Sequence, residues 1–336
     1  MTSKVPIIRA VPTNIITGFL GVGKTSTILH LLKSKPRHER WAVLVNEFGE
    51  IGVDGSLIEG QHAVKDSIFI REVPGGCMCC AAGLPMQVAL NQLLVKAKPD
   101  RLLIEPTGLG HPKEVLQVLS GDDYRDVLLL HKILTLVDAR KLSDSRYIQH
   151  DTFNQQIAIA DTVIGNKVDL YQNADKTHLM TYVQQKGQAH TDIMFTQHGE
   201  IPFSALQGFT SSDPISSHHH RHKGHSKPLA SEMPLPECGF LAASNDGEGF
   251  SSIGWRFSPN TIFHREQLLL LLASLRVERM KATFITDCGV FAYNLVDNTL
   301  TEVRLVECQE SRIEIIYDRL DDSSQIQPQL LACAVT

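Results

Sequence analysis

"GFLGVGKT", Gly18 to Thr25, follows the β-branched run "TNIIT" at 13–17 and precedes "STILHLLKSK" at 26–35. It fits the pattern G-x-x-x-x-G-K-[ST] in the setting that pattern requires, between a strand and a helix. The glycines let backbone N–H groups curl around phosphate oxygens, and the helix start adds a favourable dipole. In this reading Lys24 reaches the β- and γ-phosphates, the Thr25 hydroxyl ligates Mg²⁺, and Gly21, Val22, Gly23 and Ser26 complete the cradle. Ile28, Leu31 and Leu32 recur at helical spacing behind it.

Outward from this loop the chain keeps one rhythm. "WAVLVNEFG" (41–49), "DRLLIEPTG" (100–108), "HKILTLVDA" (131–139) and "DTVIGNKVDL" (161–170) are apolar runs of strand length. "LPMQVALNQLLVKA" (84–97) and "HPKEVLQVLS" (111–120) are helical stretches between them. Continuous apolar strands alternating with helices predict an α/β fold with a mostly parallel sheet covered on both faces. The rhythm ends near residue 205, so a phosphate-loop domain is expected over 1–206. Residues 207–237, rich in Ser, Pro, Gly and His, read as a linker. Beyond it, "GFSSIGWRFSP" (249–259), "RMKATFIT" (279–286), "GVFAYNLV" (289–296) and "SRIEIIYDR" (311–319) read as strands, and "HREQLLLLLASL" (264–275) as a helix. A smaller α+β domain is expected over 238–336. Nothing in it reads as catalytic; Trp255, Arg256 and Arg279 would serve a client surface or ordinary packing, and packing is expected.

"NKVD", residues 166–169, closes an apolar strand. A carboxylate at Asp169 accepts from N1–H and the 2-amino group of guanine, donors that adenine lacks. Asn166 would hydrogen-bond the base edge, and the stem of Lys167 would pack over the ring. The nucleotide is therefore expected to be GTP. "LLIEPTG" (102–108) ends a buried strand in a carboxylate near a glycine, the arrangement that meets the Mg²⁺ shell and senses the γ-phosphate. Glu105 and Gly108 are the candidates, with a plain helix-start carboxylate as the alternative for Glu105. In "NEFGEIGVDG" (46–55), Glu47 and Glu50 would reach metal, water or phosphate, and Asp54 serves equally well as a cap.

"VPGGCMCCAAG" (73–83) places three of the chain's seven cysteines, Cys77, Cys79 and Cys80, within four positions. Clustered thiols without a second C-x-x-C point to metal or redox chemistry rather than a disulfide framework. Thiolates favour Zn²⁺, Cu⁺ or Co²⁺ over Mg²⁺. A closed structural zinc site wants four ligands, so three at most leave an open position suited to exchange. In an extended chain Cys77 and Cys79 face one way and Cys80 the other. Gly75 and Gly76 supply the turn needed to converge them. The remaining cysteines, Cys238, Cys288, Cys308 and Cys333, are expected to be small buried apolar residues. "HHHRHKGH" (218–225) holds His218, His219, His220, His222 and His225, imidazoles that would recruit divalent metal weakly and exchange it quickly.

The 336 residues carry a formal net charge of -5, with 43% hydrophobic and 21% charged residues, which argues against a nucleic-acid partner. The N-terminal stretch lacks the pattern of a signal peptide. The apolar run "LLLLLASL" (268–275) falls far short of the roughly 20 residues needed to cross a bilayer. A cytoplasmic protein without a membrane partner is expected.

Taken in order, "GFLGVGKTS", "VNEFGEIGVDG", "PGGCMCC", "LLIEPTGLGHP" and "IADTVIGNKVDL" resemble the CobW-type metallochaperone GTPases, with "GGCMCCAAGLPMQ" most like the zinc-binding YeiR branch. The resemblance covers the whole chain. It implies a GTPase of low intrinsic rate that binds Zn(II), or a related ion such as Co(II) or Ni(II), at the C-x-C-C thiolates. It also implies transfer of that metal to a client metalloprotein, with metal- or nucleotide-dependent self-association as a further expectation. By position, Cys77, Cys79 and Cys80 would be the ligands. Gly21, Gly23, Lys24, Thr25, Asn166 and Asp169 would be the nucleotide contacts. Some relatives carry a carboxylate directly before the Asn-Glu-Phe-Gly stretch; here Val45 stands there, so no metal ligand is expected from that position. The alternative is a GTP-dependent switch whose cysteines sense redox state or metal without delivering it.

Overall fold

The structure, a computed structural model, describes residues 8–45, 67–73, 84–212, 233–247, 250–296, 298–317 and 325–335. Glu47, Glu50, Asp54, Cys77, Cys79, Cys80 and the histidines of 218–225 lie outside the described residues. The chain divides into two compact units.

In the first unit the strands are β1 (Val11–Gly18), β2 (Trp41–Val45), β3 (Ile68–Glu72), β4 (Arg101–Glu105), β5 (Leu128–Leu130), β6 (Leu134–Val137), β7 (Thr162–Gly165) and β8 (Asp192–Phe195). They form one sheet in the order β3-β2-β4-β1-β6-β7-β8, with β5 also pairing β1. Every pairing is parallel. All five residues of β2 and of β4 are buried, which is why they read as unbroken apolar runs: helices cover both faces and leave no side for polar alternation.

The helices of eight residues or more among the described residues of this unit are α1 (Lys24–Ser34), α2 (Leu84–Ala97), α3 (Pro112–Leu119), α4 (Asp151–Ala158) and α5 (Asp175–Lys186). The face of α1 that packs inward is Thr27, Ile28, Leu31 and Leu32, the helical spacing legible in the sequence. Met86, Leu90, Leu93 and Leu94 of α2 and Val115, Leu116 and Leu119 of α3 join Ile15, Leu44, Leu102 and Ile104 in a core on one side of the sheet. Packing continues past residue 206. The Lys132 N–H donates to Gly208 O at 3.0 Å, and the Ser211 N–H donates to the buried Asp161 carboxylate at 2.8 Å. Residues 207–212 thus hydrogen-bond onto the first unit.

The second unit is an antiparallel sheet of β9 (Phe240–Gly247), β10 (Phe250–Phe257), β11 (Arg279–Thr286), β12 (Gly289–Val296), β13 (Thr299–Leu305) and β14 (Ser311–Tyr317), ordered β13-β12-β11-β14-β10-β9. Trp255, Phe257, Met280, Phe284, Tyr293, Ile313 and Ile315 meet Leu268 and Leu272 of α6 (Arg265–Ser274) and Leu330 of α7 (Ile326–Ala332) in one core. The Trp255 indole donates to Gln327 Oε1 at 3.1 Å. Arg256 forms a two-pronged pair with Glu310, Nε to Oε1 at 2.6 Å and Nη2 to Oε2 at 3.0 Å. Both residues are packed, in keeping with their structural reading.

The expectation for the single cysteines needs correction. Cys333 is buried and Cys308 half-buried, but Cys238 and Cys288 are exposed. Cys288 sits between β11 and β12, where a hairpin turn has no core to face. The Asp287 carboxylate beside it accepts from the thiol and holds it in the protonated form. Burial pushes the Cys308 thiol up to about 11.

Candidate functional site

In the first unit the nucleotide candidates gather at the carboxyl ends of parallel strands, the edge where open α/β sheets bind ligands. Gly18 ends β1, Glu105 ends β4, Val137 ends β6, Gly165 ends β7 and Phe195 ends β8. Strand register sets these ends side by side: Gly18 pairs with Leu136, Val137 with Gly165 and Gly165 with Phe195. On the other flank Val45 pairs with both Glu105 and Glu72.

The phosphate loop is built on glycines that only glycine can satisfy. Gly18 and Gly23 have φ of 141° and 102°. A Cβ on Gly18 would lie 2.4 Å from Leu136 O, and one on Gly23 2.4 Å from Asn166 Nδ2. The N-cap of α1 is Gly23, which has no side chain to cap the first turn, a helix start of the kind that suits an anion. Lys24 is buried, and its Nζ donates to Gly18 O at 2.8 Å and Phe19 O at 3.1 Å. The ammonium is thereby folded back into its own loop. Val22 is buried and Ser26 exposed.

The Thr25 hydroxyl donates to Glu105 Oε1 at 3.0 Å, and Glu105 is buried. A hydroxyl and a carboxylate in contact are hard oxygen donors of the kind Mg²⁺ takes. This pair therefore fits the metal that accompanies a nucleotide. Gly108 closes the same corner. A Cβ there would stand 3.1 Å from Lys24 Nζ and 3.1 Å from the Leu20 backbone nitrogen, so the backbone at 108 runs close against the phosphate loop.

Asn166 joins three segments. Its Nδ2 donates to Val22 O at 2.8 Å, its Oδ1 accepts from the Gly199 N–H at 3.1 Å, and its own N–H donates to Val137 O at 2.8 Å. Asn166 therefore locks the N-K-x-D turn to the phosphate loop. Lys167 follows in the left-handed region at φ 64°, and its Nζ lies 3.3 Å from Oδ2 of the buried Asp138. Asp138 also accepts from Arg140, at 2.9 Å from Nε and 2.6 Å from Nη2. Tyr171 supports this corner, accepting from the Ala139 N–H at 3.0 Å and donating to Val137 O at 3.3 Å. Burial, reinforced by the nearby Asp138 charge, holds its phenol well above the usual range. Asp169 is exposed, available to a ligand's base edge.

Sequence reasoning misses three of these participants. Asp138 carries a local signal, an acid directly after an apolar strand in "LTLVDA". Gly199 carries a weaker one, a glycine in the loop after β8. The aromatic packing around Phe19 carries none. Its ring meets Tyr147, His150 and Phe153 at centroid distances of 4.8, 4.9 and 6.0 Å, all edge-on.

A parallel sheet with a lysine-bearing glycine loop at the start of its first helix defines a P-loop nucleotide-binding protein. Residues 12–195 match the domain described as "CobW/HypB/UreG, nucleotide-binding domain". The chain is similar to the zinc chaperone YeiR of Escherichia coli (strain K12), 39% identical over 325 residues that cover 95% of this chain and 97% of that protein. It is 27% identical over 239 residues to the zinc chaperone CobW of Sinorhizobium sp, covering 62% and 67%. To the zinc chaperone YjiA of Escherichia coli (strain K12) it is 31% identical over 216 residues, covering 62% and 65%. The chain belongs to the CobW/HypB/UreG family and is a P-loop GTPase.

Proposed function

We propose that the protein is a GTP-hydrolysing metallochaperone that holds Zn(II) at Cys77, Cys79 and Cys80 and couples its nucleotide state to transfer of the metal to a client metalloprotein. The observation that carries this reading is the 39% identity to a zinc chaperone along 95% of the chain. The C-x-C-C cluster within that span supplies soft ligands for zinc.

Lys24 and the N–H groups of Gly21–Ser26 would hold the phosphates. Thr25 and Glu105 would hold Mg²⁺, which when bound neutralises charge on the β- and γ-phosphate oxygens. Gly108 would present its N–H to the γ-phosphate. Asn166, Lys167 and Asp169 would read guanine. Lys24 now donates to Gly18 O and Phe19 O, so phosphate binding would exchange those two carbonyls for anionic oxygens, a gain in charge-assisted hydrogen bonding. Glu47 would act on the water or the metal shell. The histidines at 218, 219, 220, 222 and 225 would gather ions for the thiolates. The setting is a reducing cytoplasm, where thiolates stay available to metal.

The coupling would run along the sheet edge. The segment that carries the cysteines leaves the sheet at the end of β3, and Glu72 there is in register with Val45 and, through it, with Glu105. The chain therefore leaves β3 toward the cysteine stretch from the same sheet edge that holds the phosphate loop, and a γ-phosphate-driven change at 105–108 would act on the thiolates along that edge.

Zinc stoichiometry after reconstitution tests the site. About one tightly held ion per chain in the wild type, lost in the Cys77→Ser/Cys79→Ser/Cys80→Ser variant, is expected for a three-thiolate site. Equal zinc content in the two proteins would remove the cysteines from the metal site and leave the redox or sensing switch in its place.

A further inference from the structure

Helix α4 carries two adjacent glutamines, and both reach the loop that follows Glu105. Gln155 Oε1 lies 3.3 Å from Nδ1 of His111. Gln156, fully buried, donates from Nε2 to Gly108 O at 3.0 Å. The backbone of Gln156 is fixed in turn: its carbonyl accepts from the Thr135 hydroxyl of β6 at 2.7 Å. Its Oε1 is buried and meets no donor among the described residues. A carboxamide has two donors and a carbonyl acceptor, and the carbonyl of Gly108 admits only the NH₂ end. The orientation of Gln156 is thus set by Gly108, although the group's own acceptor goes unmet. A buried polar side chain kept in that state at a phosphate-sensing corner has more to do than fill space.

The geometry points to Gln156 as a positioning residue for GTP hydrolysis: its amide holds the Gly108 carbonyl inward so that the backbone at 108 lies against Lys24 and the phosphate loop. The inference rests on the reading of Gly108 as the γ-phosphate contact. With the carbonyl pinned on the α4 side, the backbone at 108 is pre-set for the γ-phosphate and the catalytic geometry needs no rearrangement when GTP arrives. Without the pin, the peptide following Gly108 is free to rotate, since glycine opposes no φ/ψ change. The effect then falls on the triphosphate state and on turnover, because GDP has no γ-phosphate to meet.

Gln156→Leu keeps the approximate volume and removes the donor. Gln156→Glu keeps the shape, and its carboxyl donates to Gly108 O only when protonated, a form that burial favours. In the full-length protein with Mg²⁺, Gln156→Leu is expected to lower kcat by about tenfold or more and to weaken GMPPNP relative to GDP by about fivefold, while GDP affinity stays within about twofold of wild type. Relative to wild type at each pH, Gln156→Glu is expected to recover turnover as the pH is lowered, and Gln156→Leu is not. A packing role alone moves neither the GMPPNP-to-GDP ratio nor the relative pH profile. A folded Gln156→Leu protein with wild-type kcat and ratio overturns the inference, as does a Gln156→Glu profile parallel to wild type. If the leucine variant does not fold, the glutamate profile decides alone. Failing both, hydrogen exchange of the wild-type Gln156 side-chain amide decides: slow exchange in both the GDP and the GMPPNP state is expected, and loss of protection in the GMPPNP state overturns the inference. Gly108→Ala separates the two layers. A changed ratio there with an unchanged one in Gln156→Leu rejects the role of Gln156 and keeps that of Gly108. An unchanged ratio in both rejects the γ-phosphate reading and the inference with it.

Discussion

The charged core pair of the second unit and the phosphate-loop corner of the first differ in what their charges are seen to meet. In the second unit charge meets charge: the buried Arg256 is closed by Glu310 in a two-pronged pair, and the half-buried Arg265 pairs with Glu302 at 2.5 Å. In the first unit's site the buried Lys24 ammonium rests on backbone carbonyls, and the buried Glu105 carboxylate accepts from the Thr25 hydroxyl. These carbonyls and this hydroxyl are neutral groups that a phosphate and a metal would displace, whereas a closed ion pair has little left to give a ligand. The second unit's core is tied by such a pair; the first unit's strand-end loops hold groups that a nucleotide would displace.

Substitutions in each unit test that division. The largest effect is expected from Trp255→Ala. Removing a fully buried indole from the core it shares with Phe257 and Leu272 should cost about 3–5 kcal/mol of stability, read as a lowered unfolding midpoint. GTP hydrolysis by the remaining folded protein should stay within about a factor of three, since the substitution falls in the core of the unit that does not carry the phosphate loop. A large loss of turnover at temperatures where the variant is folded would break the comparison. Asp169→Ala is expected to do the reverse. Loss of two charge-assisted hydrogen bonds to the base should weaken GTP by about a hundredfold, measured by nucleotide titration, with the unfolding midpoint nearly unchanged because the side chain is exposed. Equal affinity for GTP and ATP in the wild type would sharpen the comparison the other way, by removing Asp169 from the site.

What the sequence revealed follows the range of the interactions. The phosphate loop is legible because its determinants are local: glycines at fixed offsets, then Lys24 and Thr25 at the start of a helix whose apolar spacing continues through Leu32. Fully buried β2 and β4 are equally plain. By contrast β3 (Ile68–Glu72) is five residues long, half-buried at the sheet edge and interrupted by Arg71, so neither a continuous nor an alternating apolar pattern marks it. Gln156 reads as one polar residue of a helix, because its partner Gly108 stands 48 positions away. Gly199 is tied to Asn166 across 33 positions, a contact that only the parallel pairing of β7 with β8 brings about. Cys288 illustrates the limit in the other direction: residue type suggested burial, but a hairpin turn offered no core to enter.

The most direct test of the account is the zinc affinity of the full-length protein, measured by competition with a chelator in the presence of Mg²⁺ and either GDP or GMPPNP. Coupling of nucleotide state to the thiolates predicts affinities that differ by about tenfold, the scale of ordinary coupling free energies between two sites, and predicts that the difference vanishes in the triple Cys→Ser variant. Equal zinc affinity in the two nucleotide states of the wild type would contradict it.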